Sequence, residues 1–281
     1  MNQSMRSENQ HERLAESGEH TQESRQQASE RRSVDLNADM GESFGAWTMG
    51  CDEALMPLIS SANIACGFHA GDPSTIRATV ALASRYKVAI GAHPGFDDLQ
   101  GFGRRNMQLS PDEVYDLVLY QSGAVRAFAQ AAGSRLHHVK AHGALYNMAA
   151  KDAALSGALA HAVSDLGDGV QMYVLAGSTM EQQARAAGLQ VRCEVFVDRR
   201  YMPDGSLAPR SRPDALITDA AEAVDHALCM VKSGFLIAID GSRVPVSADS
   251  LCIHGDKPTA LPFVQALRQA LEREGIAVLA P

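Results

Sequence analysis

The sequence predicts an α/β fold built on a parallel sheet, and three observations carry that prediction. Short β-like runs alternate with longer helical ones from Val34 onward, the pattern of strands joined by crossover helices. Aromatic residues are only 5% of the chain while glycine is frequent at 23, which suits a helix-rich α/β protein better than a β-sandwich. No linker divides the residues after the first 32. The 249 that remain are close to the ~250 of one β/α barrel.

Taken in order, residues 1–32 are rich in Glu, Gln, Ser and Arg, without aromatics or apolar periodicity. Such a segment cannot bury enough surface to offset its chain entropy, so a disordered tail is expected there, followed by a single domain over 33–281. Strands are expected at 34–37, 62–65, 88–92, 136–140, 171–176, 191–197 and 250–254. Asp72-Pro73 reads as an N-cap before a first-turn proline, opening a helix to about residue 85. Ser110-Pro111-Asp112-Glu113 opens another that Gly133 ends. Further helices are expected at 52–59, 153–166, 179–187, 219–232 and 259–274. Asp240-Gly241, lying between two apolar runs, signals a small antiparallel hairpin within 235–246. Right-handed crossovers between seven strands leave two closures, a (β/α) barrel or an open doubly wound sheet.

Polar, glycine-punctuated motifs follow the strand candidates, which places them together at the carboxyl face of one sheet, where such folds build their sites. His69, His93, His142 and His254 each end a strand with a glycine one or two residues later. Asp39, Glu42, Asp72 and Asp256 are strand-end carboxylates, of which Asp72 reads first as a helix cap. Imidazoles with carboxylates either bind a divalent metal or work as metal-free acid and base, and the spacing decides neither. Lys140 holds an anionic group or pairs with Asp39 or Glu42. Arg104 and Arg105, on a glycine-hinged loop, suit an anionic substrate or a partner, or form a solvated pair. Tyr146 and Asn147 orient a polar ligand unless Tyr146 simply packs. Cys66, flanked by small residues, reads as a buried side chain rather than a nucleophile.

Other classes are disfavoured. A net charge of −8 without a basic stripe argues against nucleic acid, and no apolar run approaches a membrane span. Five scattered cysteines with no CxxC pair argue against a disulfide framework and suit a reducing cytoplasm. Phosphate-loop, nucleophile-elbow and GxGxxG signatures are absent.

The stretches DLNADMGESFGAW (35–47), SANIACGFHAGDP (61–73), GAHPGFDDLQGFGRR (91–105), VYDLVLYQ (114–121), VKAHGALYN (139–147), EVFVDRRYMPDGSLAPR (194–210) and CIHGD (252–256) resemble, in order, the LamB/YcsF family, that of the 5-oxoprolinase A subunits. The resemblance implies a seven-stranded barrel of the glycoside hydrolase/deacetylase type. It also implies ATP-dependent opening of the 5-oxoproline lactam to L-glutamate, in a complex with companion subunits B and C. One departure is Ala141, where the family carries a proline between the lysine and the histidine. On this reading Asp39, His69, His93, Lys140 and His142 form the catalytic group. Asn37, Glu42, Arg104, Arg105, Tyr146, Asn147, Arg199, His254 and Asp256 are then candidates to contact substrate. ATP would be handled with the partner subunits, which suits a chain without a phosphate loop. Two alternatives stand beside it: an ATP-independent metal hydrolase with Asp39, His69 and His93 as ligands, and a non-catalytic barrel that presents substrate to its partners.

Overall fold

In a computed structural model, residues 33–254 and 260–281 are described. The expected tail, residues 1–32, and Asp256 lie outside the described residues.

The chain closes into a barrel. Strands β1 (Ser33–Met40), β2 (Ser61–Ala65), β3 (Ala89–His93), β4 (Leu136–Lys140), β5 (Gln171–Leu175), β6 (Val191–Phe196) and β9 (Ser250–Ile253) pair in parallel, and β9 returns to β1 with Asp35 beside Ser250. The open doubly wound alternative is thereby excluded. Between β6 and β9 a two-stranded antiparallel hairpin, β7 (Phe235–Ile237) and β8 (Arg243–Pro245), turns at the expected Asp240-Gly241.

Helices fall where their start signals place them. Helix α1 (Asp52–Leu55) is a single turn continued as a 3₁₀ turn, because Pro57 cannot donate a backbone hydrogen bond. Helix α2 (Pro73–Tyr86) is capped by Asp72, which accepts from the amides of Ser74 and Thr75. A capping box of Ser110 and Glu113 opens α3 (Pro111–Ala131). Helix α4 (Gly143–Ala149), which the strand-end reading overlooked, follows β4 at once. It precedes α5 (Ala153–Asp165), α6 (Thr179–Ala186), α7 (Ala220–Ser233) and α8 (Ala260–Arg273). A short strand, β10 (Ala277–Val278), adds to β1 at Ser33 and Val34. Among the described residues no helix is long and apolar enough to cross a membrane.

The greasy core lies between strands and helices, where Leu36, Ile64, Val139 and Val174 are fully buried. The inside of the barrel is different. Alternate residues of the same strands project inward, and instead of the branched aliphatics that usually fill such a barrel they are polar. At the bottom, Asp35 Oδ1 accepts from Ser60 Oγ at 2.6 Å and Ser61 Oγ at 2.7 Å, and Asp35 Oδ2 from Ser250. One level up, Asn63 Nδ2 donates to Asn37 Oδ1 at 2.7 Å and Asp39 Oδ1 at 2.9 Å, while Asn37 Nδ2 donates to Ser250 Oγ at 2.7 Å. His138 Nε2 meets Asn63 Oδ1 at 2.8 Å, and its ring stacks on Tyr173. That ring occupies the space where a side chain of β3 would stand. A Cβ on Gly91 would lie 2.1 Å from His138 Nε2, so only glycine fits there.

Candidate active site

At the carboxyl end of the barrel this polar column reaches a cavity of about 470 Å³. Asp39 from the end of β1 is its one lining carboxylate among the described residues, and Lys140 from β4 rises beside it. The Lys140 ammonium lies 3.1 Å from Asp39 Oδ1, 2.7 Å from Glu194 Oε1 and 3.1 Å from Asn37 Oδ1. Burial opposes the charged form of Lys140. The surrounding carboxylates nevertheless hold its pKa well above the ordinary lysine value. Lys140 therefore pairs with Asp39, one of its two expected roles, but its second carboxylate is Glu194 rather than Glu42. Glu194 was not among the expected site residues. It is fully buried in β6, and its Oε2 also accepts from Tyr146 Oη at 2.9 Å. Tyr146 thus both packs and braces the site.

His93, the last residue of β3, and His142, just beyond β4, stand against Asp39. His93 Nδ1 is 2.7 Å from the Lys140 carbonyl and His142 Nε2 is 2.8 Å from the Phe102 carbonyl. A carbonyl only accepts, so each of those nitrogens carries a proton. The remaining nitrogens, His93 Nε2 and His142 Nδ1, face each other at 3.0 Å, with Asp39 Oδ1 3.3 Å from His93 Nε2. Burial alone would raise the Asp39 pKa, but the charges on His93 and Lys140 hold it well below the usual carboxylate range. Burial, and then the neighbouring His93, keep His142 well below the ordinary histidine value.

The Phe102 carbonyl is aimed by backbone in the left-handed region, with φ of 55° at Phe102 and 60° at Gly103. A Cβ on Gly103 would lie 2.8 Å from both His142 and His69, so the loop closes tightly over the two rings. His69 is fully buried, stacks on His142 with centroids 3.8 Å apart, and has no partner for either nitrogen among the described residues.

His69, His93 and His142 bring nitrogens close together, as do Asp39, Glu42 and His142 their donor atoms. A metal lies in the plane of each imidazole that binds it, and the His69 and His142 planes are parallel to within 3°. Those two rings cannot share an ion in this arrangement. Asp39 Oδ1, His93 Nε2 and His142 Nδ1 fit one better, since both ring orientations are fixed by backbone carbonyls as in metal sites generally. The structure thus sets His142, rather than His69, beside Asp39 and His93.

The other expected residues divide. Arg104, Asn147, Arg199 and His254 line the cavity, whereas Asn37 and Glu42 are buried beside it. Arg105 does not reach it: its guanidinium is tied to Asp98 of its own loop and is mostly exposed. Asn147 Nδ2 is spent on the Gly143 carbonyl. Cys66 is buried with its thiol on the Ile64 carbonyl, and burial pushes its pKa up to about 12, which leaves no thiolate to attack.

His69 and His138 make the fold acid-sensitive. Burial holds both well below the ordinary 6.5, so the unfolded chain binds more protons than the native one as pH falls below that value. Stability must then drop on acidification, by about 1.4 kcal/mol per pH unit for each ring. Urea midpoints at pH 7.5, 6.5 and 5.5 check this; a flat or rising series over the last interval would show the rings to be charged in the fold.

A family model described as the LamB/YcsF family matches residues 34–281. A protein from Bordetella pertussis, named as the A subunit of 5-oxoprolinase, is 58% identical over 247 residues, covering 88% of this chain and 98% of that one. Its counterpart in Oceanobacillus iheyensis is 53% identical over 245 residues, covering 87% and 95%. Among solved structures, a lactam utilization protein from Thermus thermophilus superposes with a TM-score of 0.84 at 53% identity, covering 89% of this chain and all of that one.

Proposed function

Because this chain belongs to the LamB/YcsF family, we propose that it is the ring-opening subunit of a 5-oxoprolinase, converting 5-oxoproline to L-glutamate, with residues 33–281 as its single catalytic domain. The observation that carries the reading is the His93–His142 pair, 3.0 Å apart and set against Asp39 at the cavity wall. A five-membered lactam is a stable amide whose nitrogen leaves poorly unless it is protonated. On this reading a proton shared between His93 Nε2 and His142 Nδ1 supplies that need. As the oxygen of water bonds to the carbonyl carbon and the carbon–nitrogen bond breaks, the pair gives its proton to the departing nitrogen and recovers one from the water. Asp39 keeps the pair protonated beforehand, and Lys140 with Glu194 keeps Asp39 in place.

ATP belongs to companion subunits on this reading: they transfer its γ-phosphoryl group to the lactam oxygen with release of ADP, the ring opening described above then leaves an acyl phosphate, and a second water releases inorganic phosphate to give glutamate. The relatives are named as one lettered component of a multi-subunit 5-oxoprolinase, which supports such partners, and the absence of a phosphate-loop motif from the sequence agrees with it. The test is glutamate release by the purified chain, alone and with subunits B and C, with and without ATP. Release is expected only from the assembly with ATP. ATP-dependent release from the chain alone would overturn the division of labour, and none from the assembly would overturn the substrate.

A second reading is favoured by the same triangle of donors. Asp39, His93 and His142 would hold a divalent cation, which would polarise a carbonyl and acidify water. Elemental analysis separates the two, since a stoichiometric ion together with ATP-free hydrolysis would support a metal-dependent amide hydrolase.

A further inference from the structure

Beyond the acid–base group, the cavity wall carries Arg104, Lys140, Lys151, Arg199 and Arg210 against the single carboxylate of Asp39 among its described residues. Lys140 is already neutralised by Asp39 and Glu194. The side of the mouth formed by β6 and β9 is built differently. Arg199, in the turn after β6, is only 4% exposed. One terminal nitrogen donates to the Ala208 carbonyl at 2.6 Å, while its Nε is buried with no partner among the described residues. A buried guanidinium N–H left unpaired is costly, and such a group in a cavity wall marks a place for an acceptor supplied from outside.

Its neighbours reinforce this. His254 Nδ1 lies 3.0 Å from both oxygens of Asp198 and so carries its proton there, which leaves Nε2 to accept from Arg210 at 3.1 Å. That chain fixes the Arg210 guanidinium at the mouth. Arg104 enters from the opposite loop, held over the Phe102 ring at 4.8 Å. Burial, followed by repulsion from Arg210, lowers the Arg199 pKa to about 10.

We propose that Arg199, with Arg210 and Arg104, is an oxyanion subsite that grips the negative group of the substrate, a carboxylate or a phosphoryl group, and so selects anionic lactams over neutral ones. The inference deepens the reading above and rests on it only for which lactam is bound. It also gives His254 a positioning role through Arg210.

The experiment measures binding by calorimetry to the full chain and to Arg199→Gln, with 5-oxoproline, with 2-pyrrolidinone, which is the same ring without a carboxylate, and with inorganic phosphate. A charge-assisted hydrogen bond is worth roughly a 10- to 100-fold change in affinity. If the group held is the carboxylate, 5-oxoproline weakens by that factor and 2-pyrrolidinone does not. If it is a phosphoryl group, phosphate weakens instead. Arg199→Lys, which keeps the charge but loses the fork, is expected to fall between, and it serves as the second variant should Arg199→Gln unfold. Unchanged affinities in a folded variant, or no binding of any probe to the unaltered chain, would overturn the subsite. Anion binding lost in the variant while the assembly turns over no lactam would instead count against the proposed reaction and leave the subsite standing.

Discussion

Replacing Asp39 by asparagine is expected to lower turnover by the assembled enzyme by about 10²- to 10⁴-fold, the span that positioned acid–base groups contribute. Asparagine keeps the shape and can still meet Asn63 and Lys140, so the barrel should fold. What it removes is the negative charge that stands against the His93–His142 pair. With that charge gone, the pair is less able to hold the proton that the proposed reaction delivers to the departing nitrogen. Initial rates at saturating 5-oxoproline and ATP measure the effect, with His142→Ala as a companion. Turnover within a few-fold of the unaltered assembly for both variants would mean that the barrel only presents substrate.

The largest effect on stability is expected from Lys140→Met. Methionine fills similar space, yet the change strands Asp39 and Glu194 as two buried carboxylates with no cation between them. Removing one partner from a buried ion pair costs about 3–5 kcal/mol, because the remaining charge stays desolvated. For a domain of this size that is a fall in Tm of about 10 °C. The double variant Lys140→Met with Glu194→Gln should recover part of the loss, since one stranded charge has been removed. A Tm unchanged in the single variant would mean that the ammonium is not what compensates these carboxylates. Both variants can be scored by melting alone, independently of any assay.

Much of this architecture was legible in the sequence, because strands and helices here announce their own ends. Asp72 and Ser110 cap helices as their neighbours suggested, and the hairpin turns at Asp240-Gly241. The convergence of Asp39, His69, His93, Lys140 and His142 followed from their common place after strands. The parts that escaped are those decided by neighbours distant in sequence. Glu194 sits within the apolar-looking run VRCEVF, and nothing local marks it as a partner of Lys140. A signal did exist: polar residues recur every second position at 35-37-39 and 138-140, and stand at 250 and 254 on either side of Cys252, on strands whose intervening positions are apolar apart from His137. That period of two, repeated around a barrel, describes a polar interior. Arg105 was misplaced for the opposite reason, since its partner Asp98 is seven residues away in the same loop and removes it from the mouth.

The polar interior also dictates how the chain must assemble. Asp35 on the first strand is satisfied by Ser250 on β9, the last strand of the ring, 215 residues later, and Asn37 by the same serine. Lys140 draws on β1 and β6 together. An aliphatic interior would tolerate a half-closed sheet, because each added strand simply buries more grease. Here every partial ring leaves charges and amides facing one another without their complements. Closure of the ring and neutralisation of its contents therefore happen in one event, and the chain should fold with high cooperativity, with no stable half-barrel on the way.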